Sequence, residues 1–209
     1  LAVTAQTAEE YFNRGVSKRI LKDYKGAIAD YTKAIELDPN KIEAYNNRGL
    51  SKGTLKDFKG AISDFSKAIE IDSKYTKAYY NRGLSKDELK DYKGAISDYS
   101  KVIEINPNDA DTYYNRGNAK YYLEDNKEAI SDYTKAIEID PNYAYAYSNR
   151  GLAKGNLEDY KGAIEDYTKA IEIDPNYADA YNNRGSAKDN LEDYKGAIED
   201  FTKAIEINP

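Results

Sequence analysis

The sequence has no cysteine, histidine, methionine or tryptophan. Without Cys and His there is no zinc site built on those ligands, no thiol nucleophile and no Ser-His-Asp triad. A disulfide framework is excluded, so cysteine usage leaves the redox compartment unread. No stretch approaches the roughly 18 consecutive apolar residues of a membrane span, and no membrane partner is expected. What the chain does contain is charge, with 37 Asp and Glu against 31 Lys and Arg, and 22 tyrosines. The acidic balance argues against nucleic acid as a partner, because neutralising phosphates asks for a basic surface.

The dominant feature is a period. Arg-Gly recurs at Arg14-Gly15, Arg48-Gly49, Arg82-Gly83, Arg116-Gly117, Arg150-Gly151 and Arg184-Gly185, each step being 34 residues without insertion. Such a period marks a solenoid, in which every unit buries its apolar face against its neighbours. With that Gly as position 8 of 34, the units begin at 8, 42, 76, 110, 144 and 178 and form one domain over 8–209, preceded by a leader of residues 1–7. Within the leader, Val3-Thr4-Ala5 resembles a small-residue signal-peptidase site after an apolar tail. The compartment stays open between cytoplasm and export.

Each unit reads as two helices. The first spans roughly positions 2 to 14 and closes on a Leu in all six copies, from Leu21 to Leu191. Asp at position 16, as in Asp23 and Asp159, is placed to cap the second helix. Only the fourth copy offers a capping box, Asp125 with Glu128 three residues on. The second helix carries Tyr, Ala, Ile, Tyr, Ala, Ile at positions 17, 20, 21, 24, 27 and 28, a helical spacing. Asp-Pro-Asn or a close variant ends it, since proline disfavours helix in the residue before it.

Tyr at 4, Gly at 8, Ala at 20, Tyr or Phe at 24, Ala at 27 and Pro at 32 resemble the tetratricopeptide repeat. The resemblance covers 8–209. Val102, Ser73 and Asn126 depart from it at positions 27, 32 and 17 without breaking the architecture. It implies an all-α solenoid of six helix-turn-helix repeats forming a right-handed superhelix, whose first helices line a concave, peptide-holding groove. Some family members hold the C-terminal acid of heat-shock chaperones with a carboxylate clamp. This chain has no Lys at position 5 and only Lys77 at position 2, so that clamp is absent.

Repeats five and six differ at six of the 32 positions they share: Tyr145/Asp179, Ser148/Asn182, Leu152/Ser186, Gly155/Asp189, Tyr167/Phe201 and Asp174/Asn208. The first four fall at positions 2, 5, 9 and 12, one stripe of the first helix. That stripe is expected to line the groove, the alternative being drift after duplication. Position 6 is always Asn (Asn13, Asn47, Asn81, Asn115, Asn149, Asn183), whose amide has both a donor and an acceptor for a peptide backbone. Similar Asn ladders occur in the repeats of O-linked N-acetylglucosamine transferases. The alternative is an amide bonded within the protein. Tyr80, Tyr114, Tyr121, Tyr122 and Tyr145 concentrate in repeats three to five, with Phe12 alone at the N-terminal end. Asn118 joins them in repeat four, where the hot spot is expected. The competing reading has these rings filling space against one another.

Six of seven arginines stand at position 7, and Asp is always at 23. The pairs Arg14–Asp30, Arg48–Asp64, Arg82–Asp98, Arg116–Asp132, Arg150–Asp166 and Arg184–Asp200 are expected as structural ion pairs, within a unit or between consecutive units. Lys at position 11 snorkels beside them. On this reading Arg→Leu is neutral or stabilising and Asp→Ala is costly. The alternative is a row of anion receptors.

No phosphate-binding Gly loop appears, and the carboxylates recur with the period, so no acid–base pair stands apart. Asn106-Pro107-Asn108-Asp109-Ala110-Asp111 looks faintly like a calcium loop but lacks its spacing and distal Glu. No enzyme activity and no cofactor are expected. The leading reading is a scaffold binding an extended peptide or protein segment. Its rivals are a module that self-assembles through exposed apolar surface near Ile198, Phe201 and Ile205 of the final helix, and a targeting arm of a larger enzyme.

Overall fold

The computed structural model describes residues 6–209, and Val3-Thr4-Ala5 lies outside the described residues. Twelve helices and no strand are found among the described residues. They are α1 (Ala8–Ile20), α2 (Tyr24–Leu37), α3 (Ile42–Thr54), α4 (Phe58–Ile71), α5 (Thr76–Glu88) and α6 (Tyr92–Ile105), then α7 (Ala110–Tyr122), α8 (Asn126–Ile139), α9 (Ala144–Asn156), α10 (Tyr160–Ile173), α11 (Ala178–Asn190) and α12 (Tyr194–Ile207). The chain is an all-α repeat solenoid. It divides into two compact units, Leu1–Pro107 and Asn108–Pro209.

Each first helix stops at position 13. Position 14 is its C-cap, and position 15 (Lys22, Lys56, Lys90, Glu124, Glu158, Glu192) turns left-handed at φ of 60–63°. The N–H of position 16 then donates to the carbonyl of position 11, as from Asp57 to Lys52 at 2.9 Å. This is the Schellman arrangement, made here without its usual glycine.

Five of the six Asp residues at position 16 accept a hydrogen bond from the N–H of the Gly three residues on, as Asp57 does from Gly60 at 2.9 Å. A Cβ on that Gly would collide with the capping carboxylate. Position 19 of the fourth repeat is Glu128, and Asp125 makes no side-chain cap. The capping box expected there is therefore absent, because the acid meant to complete it carries the Cβ that displaces the cap. The one capping box among the described residues joins Thr7 and Glu10 at α1.

Within each unit the second helix of a repeat packs on the first helix of the next. Successive first helices also touch, α1 with α3 and α3 with α5, α7 with α9 and α9 with α11. No two second helices do so among the described residues. The first helices thus form the inner side of each unit. The core is built of small residues and rings: Ala27, Ala61, Ala129 and Ala163 are fully buried, as are Tyr31, Tyr99 and Tyr133. Gly at position 8 admits the ring. A Cβ on Gly117 would stand 2.8 Å from Cε1 of Tyr133, a distance closed to a packed interior.

Candidate functional site

The ion pairs form inside each repeat. Arg150 donates from Nε and Nη2 to the two carboxylate oxygens of Asp166 at 2.9 and 2.6 Å. Arg14, Arg48, Arg82, Arg116 and Arg184 grip Asp30, Asp64, Asp98, Asp132 and Asp200 in the same way. Lys at position 11 does more than snorkel: Lys154 reaches Asp166 at 2.8 Å, and every repeat has the equivalent contact. The repeat-to-repeat link comes from the remaining arm of the fork. Arg48 donates to Thr32, Arg82 to Ser66, Arg150 to Thr134 and Arg184 to Thr168, each hydroxyl belonging to the preceding repeat.

Each guanidinium also lies 5.0–5.6 Å from the ring centroid of the Tyr at position 4. Two carboxylate oxygens, one hydroxyl and one ring face require a planar fork, which lysine lacks. The hydrogen bonds of Arg14 hold the Asp30 carboxyl below the usual carboxylate range. At Asp200 burial acts in the opposite sense and is outweighed by Arg184 and Lys188, so its pKa is also lowered. These arginines are occupied internally, which disfavours the anion-receptor alternative. The hydroxyl at position 25, Thr or Ser in all six copies, is the partner that the sequence reading missed.

The stripe on the inner side is narrower than its spacing predicts. Position 2 is exposed in every repeat, and Tyr145 there is 55% exposed. Position 5 instead enters the packing in the first five repeats, whereas Asn182 in the sixth is exposed. Asn46 and Ser148 are buried. Phe12, Tyr80 and Tyr114 lie with ring centroids 5.8–6.0 Å from Tyr31, Tyr99 and Tyr133. A Cβ at position 5 points toward the ring at 24, so these side chains are wall more than open surface. Positions 9 and 12 are mostly half-buried.

The asparagines at position 6 divide. Asn81 donates to Asn46 at 3.1 Å, and Asn149 donates to the Tyr114 hydroxyl at 3.1 Å and to Asn118 Oδ1 at 2.9 Å. Asn115 is half-buried. The side chains of Asn13, Asn47 and Asn183 make no hydrogen bond among the described residues, Asn13 being exposed and the other two half-buried.

Between α7 and α9 the inner side opens into a pocket of about 170 Å³, lined by Tyr114, Asn118, Tyr121, Tyr122, Tyr133, Asn149 and Leu152. Its floor is fixed. The Tyr133 hydroxyl donates to Asn118 Oδ1 at 2.8 Å, and Asn149 bridges Asn118 to Tyr114. Its rim is open to solvent, with Tyr122 63% exposed and set edge-on to Tyr121 at 6.0 Å. Burial raises the pKa of the Tyr114 and Tyr133 hydroxyls, so both keep their protons at any physiological pH. Leu152, on the expected stripe, lines the pocket, as does Tyr133, which the sequence reading did not place there. Tyr80 lies in the other unit, and Tyr145 stands on α9, where its ring meets Tyr177 edge-on at 5.2 Å.

Among the described residues no group of acidic side chains could hold a metal ion, and no helix is long and apolar enough to cross a membrane. Asp109, from the calcium-like segment, accepts a hydrogen bond from the Thr112 hydroxyl at 2.8 Å and caps α7.

The fold is similar to solved structures. A crystal structure of MamA protein is 28% identical over 82% of this chain and 94% of that one, with a TM-score of 0.77. YrrB, described as a TPR protein with an unusual peptide-binding site, is 28% identical over 86% of this chain and 92% of its own, with a TM-score of 0.73. A tetratricopeptide repeat protein from Parabacteroides merdae shares the fold at 18% identity, with a TM-score of 0.85 over 98% of this chain and 81% of that one. No curated protein matches the chain significantly in sequence. Profiles described as tetratricopeptide repeat match residues 8–41, 42–75, 76–109, 110–143, 144–177 and 178–209. The chain belongs to the tetratricopeptide repeat family.

Proposed function

We propose that the protein is a non-catalytic interaction scaffold that holds an extended peptide or protein segment along the inner side of its first helices. The observation that carries this reading is the tyrosine-walled pocket beside Asn118 and Asn149, on the side where successive first helices meet. Tyrosine offers large area, few rotors and a polar tip, which suits binding anchors. The amides of Asn13, Asn47 and Asn183 are left to pair with a peptide group whatever its side chain. YrrB, a family relative, is described by its peptide-binding site, which supports the same use of the repeats here. The test is capture from a peptide library by the wild type and by a Tyr121→Ala/Tyr122→Ala double variant. Loss of capture supports the pocket as the anchor, and unchanged capture rules it out.

A second reading rests on α12. Ile198 and Ile205 are each 65% exposed, whereas their equivalents on α10 are half-buried (Ile164) and buried (Ile171). In the unit that contains them, the cover is α11, the first helix of the next repeat. A first helix fits the same face, whether from a following repeat or from a second copy, and the second case would give head-to-tail association. Light scattering across a concentration series decides this: a mass that does not change with concentration removes the reading.

A further inference from the structure

The chain is electrically lopsided. Residues 108–209 carry 21 Asp and Glu against 12 Lys and Arg, a net charge of −9, while residues 1–107 carry 16 against 19, a net of +3. The difference reaches the inner side of the acidic unit. In repeats four to six, positions 2, 5, 6, 9, 12 and 13 include Asp111, Asp179 and Asp189 and no Lys or Arg. The turn after the first helix changes in the same sense: Lys22, Lys56 and Lys90 in the first three repeats give way to Glu124, Glu158 and Glu192. All three glutamates are exposed, and Glu124 stands two residues beyond Tyr122 on the pocket rim.

The pocket itself is uncharged and rich in acceptors. Four of its seven lining residues are tyrosines, whose ring faces are negative and attract cations. The Tyr114 oxygen accepts one hydrogen bond from Asn149, and Tyr133 donates its proton to Asn118, so both phenolic oxygens keep lone pairs for an incoming donor. A carboxylate would meet no cation in the lining and a negative field outside it. An apolar ring would leave those acceptors unpaired, at a cost. A cavity of about 150 Å³ takes up a benzene-sized group, and the planar guanidinium matches that size, supplies five donors and sheds water more readily than an ammonium.

We propose that this pocket seats an arginine side chain of a basic peptide segment, with the acidic unit steering the segment and the tyrosines selecting the residue. The proposal rests on the groove reading above and specifies its ligand.

The experiment measures binding of labelled peptide pools, identical but for one fixed central residue (Arg, Lys, Gln, Glu or Phe), to the full chain by fluorescence anisotropy. The Arg pool binds tightest, about tenfold tighter than Gln, the Glu pool binds weakest, and added salt weakens the Arg pool. Tyr122→Ala removes the Arg preference and Tyr122→Phe retains it, circular dichroism showing both variants folded. A Lys, Phe, Gln or Glu pool that binds as tightly as Arg overturns the arginine proposal and leaves the groove reading standing. So does a Tyr122→Ala variant that keeps the Arg preference. If no pool binds, both fall.

Discussion

Asp125 and Glu128 stand three residues apart at the start of α8 and do not cap it, although an acid three residues after an N-cap is the usual sign of a capping box. In the other five repeats of this chain the carboxylate at position 16 folds over its third neighbour, a glycine on which a Cβ would collide with it. We therefore expect Asp57→Ala to cost about 1 kcal/mol, the ordinary value of an N-cap, and Asp125→Ala to cost close to nothing. Urea denaturation of the two variants checks this, and equal losses would contradict it.

The left-handed turn at position 15 offers a gain. Lys56 and Glu158 hold φ of 63° and 62°, a region in which a side chain is disfavoured by roughly 1–2 kcal/mol. Glycine also gains entropy in the unfolded chain, which offsets part of this. Glu158→Gly is expected to stabilise the protein by about 0.5–1 kcal/mol, read as a raised midpoint of thermal unfolding.

Two glycines of the first helices should respond oppositely to alanine. Gly155 has nothing within 4 Å of an added Cβ, so Gly155→Ala gains the helix propensity of alanine, about 0.5–1 kcal/mol. Gly117→Ala drives a methyl into the buried Tyr133 ring and is expected to lose about 1–3 kcal/mol. Since Tyr133 also forms the pocket floor, that variant should bind peptide less well than its loss of stability explains. Binding measured well below the unfolding midpoint separates the two effects.

Arg150→Leu is expected to destabilise, against the sequence-based ranking in which it was neutral or favourable. Asp166 is 4% exposed and takes two hydrogen bonds from Arg150, so removing the fork leaves a buried carboxylate with Lys154 as its remaining cation. The loss should be about 3 kcal/mol. Arg150 also bonds Thr134 of the preceding repeat. A Thr134→Val variant should therefore show a smaller effect in the Arg150→Leu background than in the wild type, which a double-mutant cycle measures.

Stability should change with pH through Asp87. Burial, opposed by the short hydrogen bond from the Tyr99 hydroxyl, raises its pKa to about 6, and its Oδ1 has no partner. Between pH of about 6 and 4 the folded state binds a proton that the unfolded chain releases, so this site adds stability as pH falls through that window and detracts above it. Asp30 and Asp200 act oppositely: their lowered pKa contributes stability above about pH 4 that is lost on further acidification. Asp87→Asn keeps an acceptor for Tyr99. It should stabilise by on the order of 1–2 kcal/mol at pH 7.5 after allowance for solvent screening, and by nothing at pH 4. A gain of equal size at both pH values would show that the charge is not the cause.

Spacing along the chain determined the twelve helices, the repeat boundaries and the pairing of Arg at 7 with Asp at 23, because each depends on a local period that every copy restates. It also marked Tyr114, Asn118, Tyr121 and Tyr122 as unusual, since a residue that breaks a repeat is visible without coordinates. What lay beyond it was decided by contacts between elements. Whether Asn81 or Asn149 offers its amide outward depends on what position 5 or 9 of the preceding first helix supplies, and whether Tyr80 is surface or wall depends on the ring of Tyr99 behind it. The pocket exists because Tyr133, from the second helix, raises its hydroxyl between two first helices. That meeting is a matter of packing depth and side-chain direction, which a one-dimensional pattern leaves undetermined.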